Sequence, residues 1–318
     1  MTVGDGEHLL SPRDGLGRVG ALSYAKLRVA FIALRPRQWT KNILVFAAPA
    51  MAGKLTQEVP LLRALAAFGV FVAAASATYL VNDVIDTVAD RAHPTKRSRP
   101  VASGALARVE ALSLAGMLFA CALACALGLG MRFFAVVSSY VLLTLIYSLG
   151  LKRVPILELG LVAAGFVLRA SGGGAAVHVP ISPWFLIVTS CGALLVVAGK
   201  RSTEHEALGD GRGMHREALN AYPLAFLRYV RTLASSVALV SYCLWVFAGP
   251  ILGGDLGHPR APRWFEASIV PFVLALLAVE LAIERGKGGE PEDLALHDRS
   301  LQVCGVAWLV LIGLGVYA

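Results

Sequence analysis

The chain has 318 residues, of which 57% are hydrophobic and 16% charged, and its mean hydropathy is +0.67. Soluble domains carry about 25% charged residues, so an ordinary soluble enzyme is excluded, and recurring apolar runs of span length indicate a polytopic helical membrane protein. The net charge of +8 does not point to nucleic acid, because the basic residues lie between apolar runs and are not gathered in a soluble domain.

Residues 1–23 mix charges, glycines and a proline without the apolar core and small-residue cleavage site of a secretory signal, and are expected to be loosely ordered. From Tyr24 to Leu34 the pattern is amphipathic, with Lys26 and Arg28 set among Leu27, Val29, Phe31 and Ile32, which suits a helix lying at the membrane surface. A first span is expected at 40–53. Later spans are expected at 62–90, 110–130, 133–150, 155–171, 183–200, 229–249, 266–284 and 300–318, about nine in all. The fold class is therefore all-α, a polytopic membrane helical bundle formed by residues 24–318. The five cysteines lie inside apolar runs and read as small core residues.

Charge sets the orientation. Of the 29 Lys and Arg, only Lys54, Arg63, Arg132, Arg260 and Arg263 flank the spans on one side, and Arg169 lies within a span; the rest fall on the opposite flanks. The positive-inside rule places those flanks in the cytoplasm. The long connections on that side, 91–109 and 201–228, are candidate lids, and 285–299, acidic as well as basic, reads as a solvated loop.

The stretch with the most chemistry is Asn82-Asp83-x-x-Asp86-x-x-x-Asp90, closing the second span. On one continuous helix Asn82, Asp86 and Asp90 fall within about 80° of arc, with Asp83 beside them. Carboxylates near lipid need partners. Oxygen ligands of this kind suit magnesium, which keeps waters and takes further ligands from phosphates. The plainer reading is a helix end whose acids pair with Arg91, Lys96 and Arg97. Next comes His93-Pro94-Thr95-Lys96-Arg97-Ser98-Arg99-Pro100, a proline-bounded loop whose Lys96, Arg97 and Arg99 suit phosphate oxygens. Tyr147-Ser148 followed by Lys152 and Arg153 suits a phosphate, and equally an interfacial tyrosine with snorkelling cations. Lys200, Arg201 and Glu204 end the sixth span with mixed signs, compatible with an anion site or a solvated flank. Arg35, Arg37, Lys41 and Asn42 form a basic group at the first span, and Glu158 and Arg169 are expected to face protein. Ser171-Gly172-Gly173-Gly174 lacks the Lys-Ser/Thr of a phosphate loop and reads as a turn.

The Asn82-to-Asp90 pattern, ending the second span of such a chain, resembles the UbiA superfamily of intramembrane prenyltransferases. That resemblance implies a bundle with a cytoplasmic-side polar cavity and a lateral opening for a polyprenyl chain. The usual second acidic motif is replaced by Gly199-Lys200-Arg201-x-x-Glu204. Together with Arg35-Pro36-Arg37-Gln38-Trp39-x-Lys41-Asn42, His93-Pro94-x-Lys96-Arg97-x-Arg99-Pro100 and Tyr147-Ser148-x-x-Leu151-Lys152, this is similar to the decaprenyl-phosphate phosphoribosyltransferase branch.

The branch implies transfer of 5-phosphoribose from phosphoribosyl pyrophosphate to polyprenyl (decaprenyl) phosphate, towards decaprenyl-phosphoryl-arabinose for arabinogalactan and lipoarabinomannan. It implies a multi-pass plasma-membrane enzyme with its site facing the cytoplasm. On this reading Asn82, Asp83 and Asp86 hold magnesium, with Asp90 as outer ligand or orienter. Lys41, Asn42, Lys96, Arg97, Arg99, Tyr147, Lys152, Lys200, Arg201 and Glu204 bind substrate. A homo-oligomer is left open. The rival readings are an aromatic polyprenyltransferase of the same fold and a membrane transporter; transport needs charges near mid-bilayer, whereas these gather at one face.

Overall fold

The structure, a computed structural model, describes residues 26–208, 221–248, 262–287, 294 and 297–318. The segment expected to be loosely ordered, 1–23, lies outside the described residues, as do 209–220 of one candidate lid and much of the 285–299 connection.

Every regular element among the described residues is helical. Eight helices have the length and apolarity to cross a bilayer: α3 (Glu58–Ile85), α6 (Arg108–Leu129), α7 (Met131–Leu149), α8 (Leu157–Val177), α9 (Pro183–Leu208), α10 (Leu224–Ala248), α11 (Pro262–Glu284) and α12 (Arg299–Tyr317). Shorter pieces are α1 (26–33), α2 (Ala47–Met51), α4 (Thr87–Ala92) and α5 (Pro100–Ser103). With no water in the hydrocarbon to satisfy backbone groups, apolar runs of this length must close their hydrogen bonds within the helix.

The expected first span is a crossing of a different kind. Residues Pro36–Phe46 wind as a 3₁₀ helix and pass into α2. The steeper 3₁₀ rise lets these two pieces cover about 30 Å, the thickness of a bilayer core. One end reaches Asp83 through Arg35; the other lies by α12, where the Tyr317 hydroxyl donates to the Ala50 carbonyl at 3.1 Å. Trp39 ties the near end to α3, its Nε1 donating to Ser76 Oγ at 3.1 Å and to the Leu34 carbonyl at 3.2 Å.

The 171–174 run, expected as a turn, lies inside α8. Its glycines are there for close approach: a Cβ on Gly173 would fall 1.7 Å from the Val45 carbonyl oxygen, and one on Gly172 would fall 2.4 Å from the Phe71 ring. Only bare backbone lets α8 press against the 3₁₀ crossing and α3. Around that contact Phe71, Phe133 and Tyr140 pack edge to face, with centroids 5.9 and 5.4 Å apart.

Helix α3 is the most enclosed span and α12 the least. Helices α6, α7 and α8 surround α3, α9 packs between α8 and α10, and α11 pairs with α12. At the end away from Asp83, Arg63 closes the bundle: its Nε donates to the Ala176 carbonyl at 2.7 Å and its Nη2 to the Leu129 carbonyl at 2.6 Å. The acidic end of α3 lies at the opposite end of the bundle.

Candidate active site

The acidic stretch is not one helix. α3 stops at Ile85, Asp86 takes φ −87° and ψ 6°, and α4 starts at Thr87. The backbone bonds from Asp86 N to Asn82 O and from Asp90 N to Asp86 O, both 2.8 Å, still carry the chain through the break. The cluster divides into two pairs that helical spacing already separates. Asn82 and Asp86 are one turn apart; Asp83 and Asp90 are two turns apart, about 20° from eclipsed.

The first pair faces the connection between α7 and α8. Lys152, on the 3₁₀ turn Leu151–Arg153, sends its ammonium to Asp86 Oδ1 at 2.5 Å and to Asn82 Oδ1 at 3.4 Å. The Asn82 amide donates to the other Asp86 oxygen at 3.0 Å, which turns its own oxygen towards the lysine.

The second pair is buried and faces arginines. Asp83 is 1% exposed and Asp90 4%. Arg99 Nη1 bridges them, at 3.2 Å from Asp83 Oδ1 and 2.7 Å from Asp90 Oδ2. Arg35 makes a second ion pair with Asp83, and its guanidinium sits 5.0 Å from the centre of the Tyr79 ring. Each arginine precedes a proline: Arg99 takes the extended conformation that Pro100 favours, whereas Arg35, before Pro36, lies in the left-handed region at φ 55°. Arg35, Arg99 and Lys152 thus pair with the acids. Arg91 instead donates to the Ala102 carbonyl at 2.9 Å.

The other expected substrate residues divide. Lys96 is half-buried and Arg97 exposed on the turn leading to Arg99; Lys41, Tyr147 and Lys200 are half-buried. Asn42, Arg201 and Glu204 meet defined side chains within the protein. Arg201 is buried and grips the fully buried Glu158 through Nε at 2.8 Å and Nη2 at 3.1 Å, while its Nη1 meets Glu204 at 2.6 Å. Asn42 is fully buried and accepts from Arg169 Nε at 2.8 Å, in a network where Arg169 also donates to the Tyr140 hydroxyl at 2.7 Å. A buried arginine with two carboxylates has no incentive to leave them for a phosphate.

Sequence reading placed Arg35 in the basic group at the first span but not among the substrate-binding residues, and did not single out Tyr79. The signal for Arg35 was its place one residue before a proline beside the tryptophan that docks on α3; nothing in the sequence marks Tyr79.

Among the described residues no three His, Cys, Asp or Glu side chains gather as a metal cage. The donor set nonetheless fits a magnesium ion shared with phosphates. Asn82 Oδ1 and Asp86 Oδ1 converge on one cationic group, the Lys152 ammonium. Magnesium commonly takes only one or two protein oxygens, with waters and phosphate oxygens completing six. Asp83 and Asp90 are taken up by guanidinium groups, so they fit as holders of Arg35 and Arg99 better than as metal ligands.

Comparison with known proteins agrees with this architecture. The UbiA prenyltransferase family matches residues 43–289. A decaprenyl-phosphate phosphoribosyltransferase of Mycolicibacterium smegmatis is 40% identical over 291 residues, covering 90% of this chain and 91% of that protein. One of Corynebacterium glutamicum is 40% identical over 298 residues, covering 90% of this chain and 86% of that protein. A UbiA homologue from Archaeoglobus fulgidus, solved bound to GPP and Mg2+, superposes with a TM-score of 0.67 at 16% identity, over 90% of this chain and 98% of that one.

Proposed function

This chain belongs to the UbiA prenyltransferase family, and on that footing we propose that it transfers 5-phosphoribose from phosphoribosyl pyrophosphate to polyprenyl (decaprenyl) phosphate, releasing pyrophosphate. The observation that carries this reading is the near full-length likeness to two decaprenyl-phosphate phosphoribosyltransferases. The geometry supports it: a substrate pair with several phosphates calls for cations, and Lys152, Arg99 and Arg35 converge on the acidic end of α3.

In the proposed reaction the bond from the ribose anomeric carbon to pyrophosphate breaks, and the electron pair leaves with the pyrophosphate. An oxygen of the lipid phosphate forms the new bond from the opposite face, with inversion. That oxygen is already anionic, so no strong base is required, and positioning with charge stabilisation does most of the catalysis. Asn82 and Asp86 would hold magnesium, which supplies charge neutralisation for the departing pyrophosphate. Lys152 lies against the same oxygens and moves onto the leaving group as its charge develops. Asp83 and Asp90 hold Arg99 and Arg35 in place for the remaining phosphates, aided by Lys96, Arg97 and Lys200 around the rim. On this reading the site faces the cytoplasm, a placement that the charge asymmetry of the flanks supports, and the lipid tail lies along the apolar spans.

The test uses phosphoribosyl pyrophosphate labelled in the ribose carbons and, separately, in the β-phosphate, given to purified protein with polyprenyl phosphate and magnesium. Ribose label is expected in the lipid phase and β-phosphate label in aqueous pyrophosphate. Ribose label staying aqueous while a prenyl diphosphate is consumed would overturn the reading in favour of an aromatic prenyltransferase.

A further inference from the structure

The corner that leads from Lys152 into α8 is strained. Ile156 has φ 66° and ψ −50°, and the Leu157 N–H donates to the Pro155 carbonyl at 2.7 Å. This is a γ-turn of the rarer hand, costly for a β-branched residue because its Cβ crowds the backbone at positive φ. Such a conformation persists only where its surroundings over-determine it, and it points to a functional constraint.

Three anchors surround the corner. Lys152, four residues before it, is held by Asn82 and Asp86. Glu158, two residues after it, is locked to Arg201 of α9. At the corner itself the Ile156 N–H donates to the hydroxyl of Tyr222 at 2.6 Å. Tyr222 comes from the segment entering α10, is 2% exposed and stacks on Phe226 at 5.8 Å with rings 3° from parallel. It packs with Leu159, Val197 and Leu227, so its ring is fixed independently of its hydroxyl. Burial pushes the Tyr222 phenol up from its ordinary value, so it remains a neutral hydroxyl throughout the working pH range.

We propose that Tyr222 is a positioning residue: its hydroxyl pins the γ-turn at Ile156 and so holds Lys152 on Asn82 and Asp86, which rests on the phosphoribosyl-transfer reading of that site. Glu158 anchors the start of α8 on one side of the corner, and Lys152 lies on the other. Removing the pin lets the corner relax and carries Lys152 away from the leaving group. Tyr222 touches no reacting atom.

The test compares wild type, Tyr222→Phe and the double variant Tyr222→Phe/Ile156→Gly. Each is assayed for label transfer to polyprenyl phosphate, hydrogen exchange in residues 150–157 and thermal midpoint. The phenylalanine keeps the ring and loses the hydroxyl. Its kcat is expected to fall about tenfold to a hundredfold, with KM for the donor within about twofold. Exchange in 150–157 should quicken while the midpoint stays within about 2 °C. Glycine adopts positive φ without a Cβ clash, so the corner no longer depends on the pin, and the double variant should recover to within about threefold of wild type. An unchanged kcat, or a loss matched by a fallen midpoint and not recovered by glycine, would overturn the proposal. If wild type transfers no label, the functional reading fails by itself, and unchanged exchange in Tyr222→Phe overturns the pin separately.

Discussion

Lys152 is the residue on which the candidate site turns, because its ammonium touches both Asn82 and Asp86. Lys152→Ala is expected to lower kcat about a hundredfold to a thousandfold, the scale for losing one preorganised charge at a developing anion. Donor KM should change little, and steady-state label transfer checks both. Glu158 and Arg201 belong to a different class. Glu158→Ala leaves a buried guanidinium with only Glu204, and should cost about 3–5 kcal/mol, whereas Glu158→Leu with Arg201→Met should return close to wild type. Denaturant unfolding in micelles distinguishes the two. The types of these residues were legible in the sequence, but their roles were not. The spacing that sets Asp83 with Asp90 is as visible as that which sets Asn82 with Asp86, yet the break at Asp86 and the reach of Arg35 across 48 positions depend on tertiary packing.

Span-length helices follow from apolar runs that leave the backbone no other partner, which is why α3 and α6 to α12 were readable from hydropathy. The 3₁₀ crossing was not readable as such. Its residues Gln38, Thr40, Lys41 and Asn42 break the apolar pattern, and its conformation is imposed by Trp39 on α3 and by the glycines of α8. Gly173→Ala should therefore fail to fold or lose well over about 1–3 kcal/mol, since the new methyl would meet backbone that cannot move aside. Gly160→Ala, on the same helix with nothing within 4 Å of the added Cβ, should be neutral or slightly stabilising. Detergent-solubilised yield and thermal midpoint read both variants.

At the scale of the whole molecule, charge separation and chemistry coincide. The end of the bundle that carries Asp83, Asp86, Asp90, Arg99 and Lys152 is also the end where the basic flanks gather, so the site is expected on the cytoplasmic face. Ser98→Cys should react with a membrane-impermeant maleimide only after permeabilisation, and Thr56→Cys in intact cells; the reverse pattern would invert the topology. The central claim is that a phosphorylated sugar is transferred where Asn82, Asp86 and Lys152 meet. Its most direct measurement is ribose-label transfer into polyprenyl phosphate by equal amounts of folded wild type and Asp86→Ala, with magnesium and after chelation. Wild type should transfer label only with magnesium, and Asp86→Ala should lose at least about a hundredfold. An Asp86→Ala protein that turns over at the wild-type rate would contradict the account.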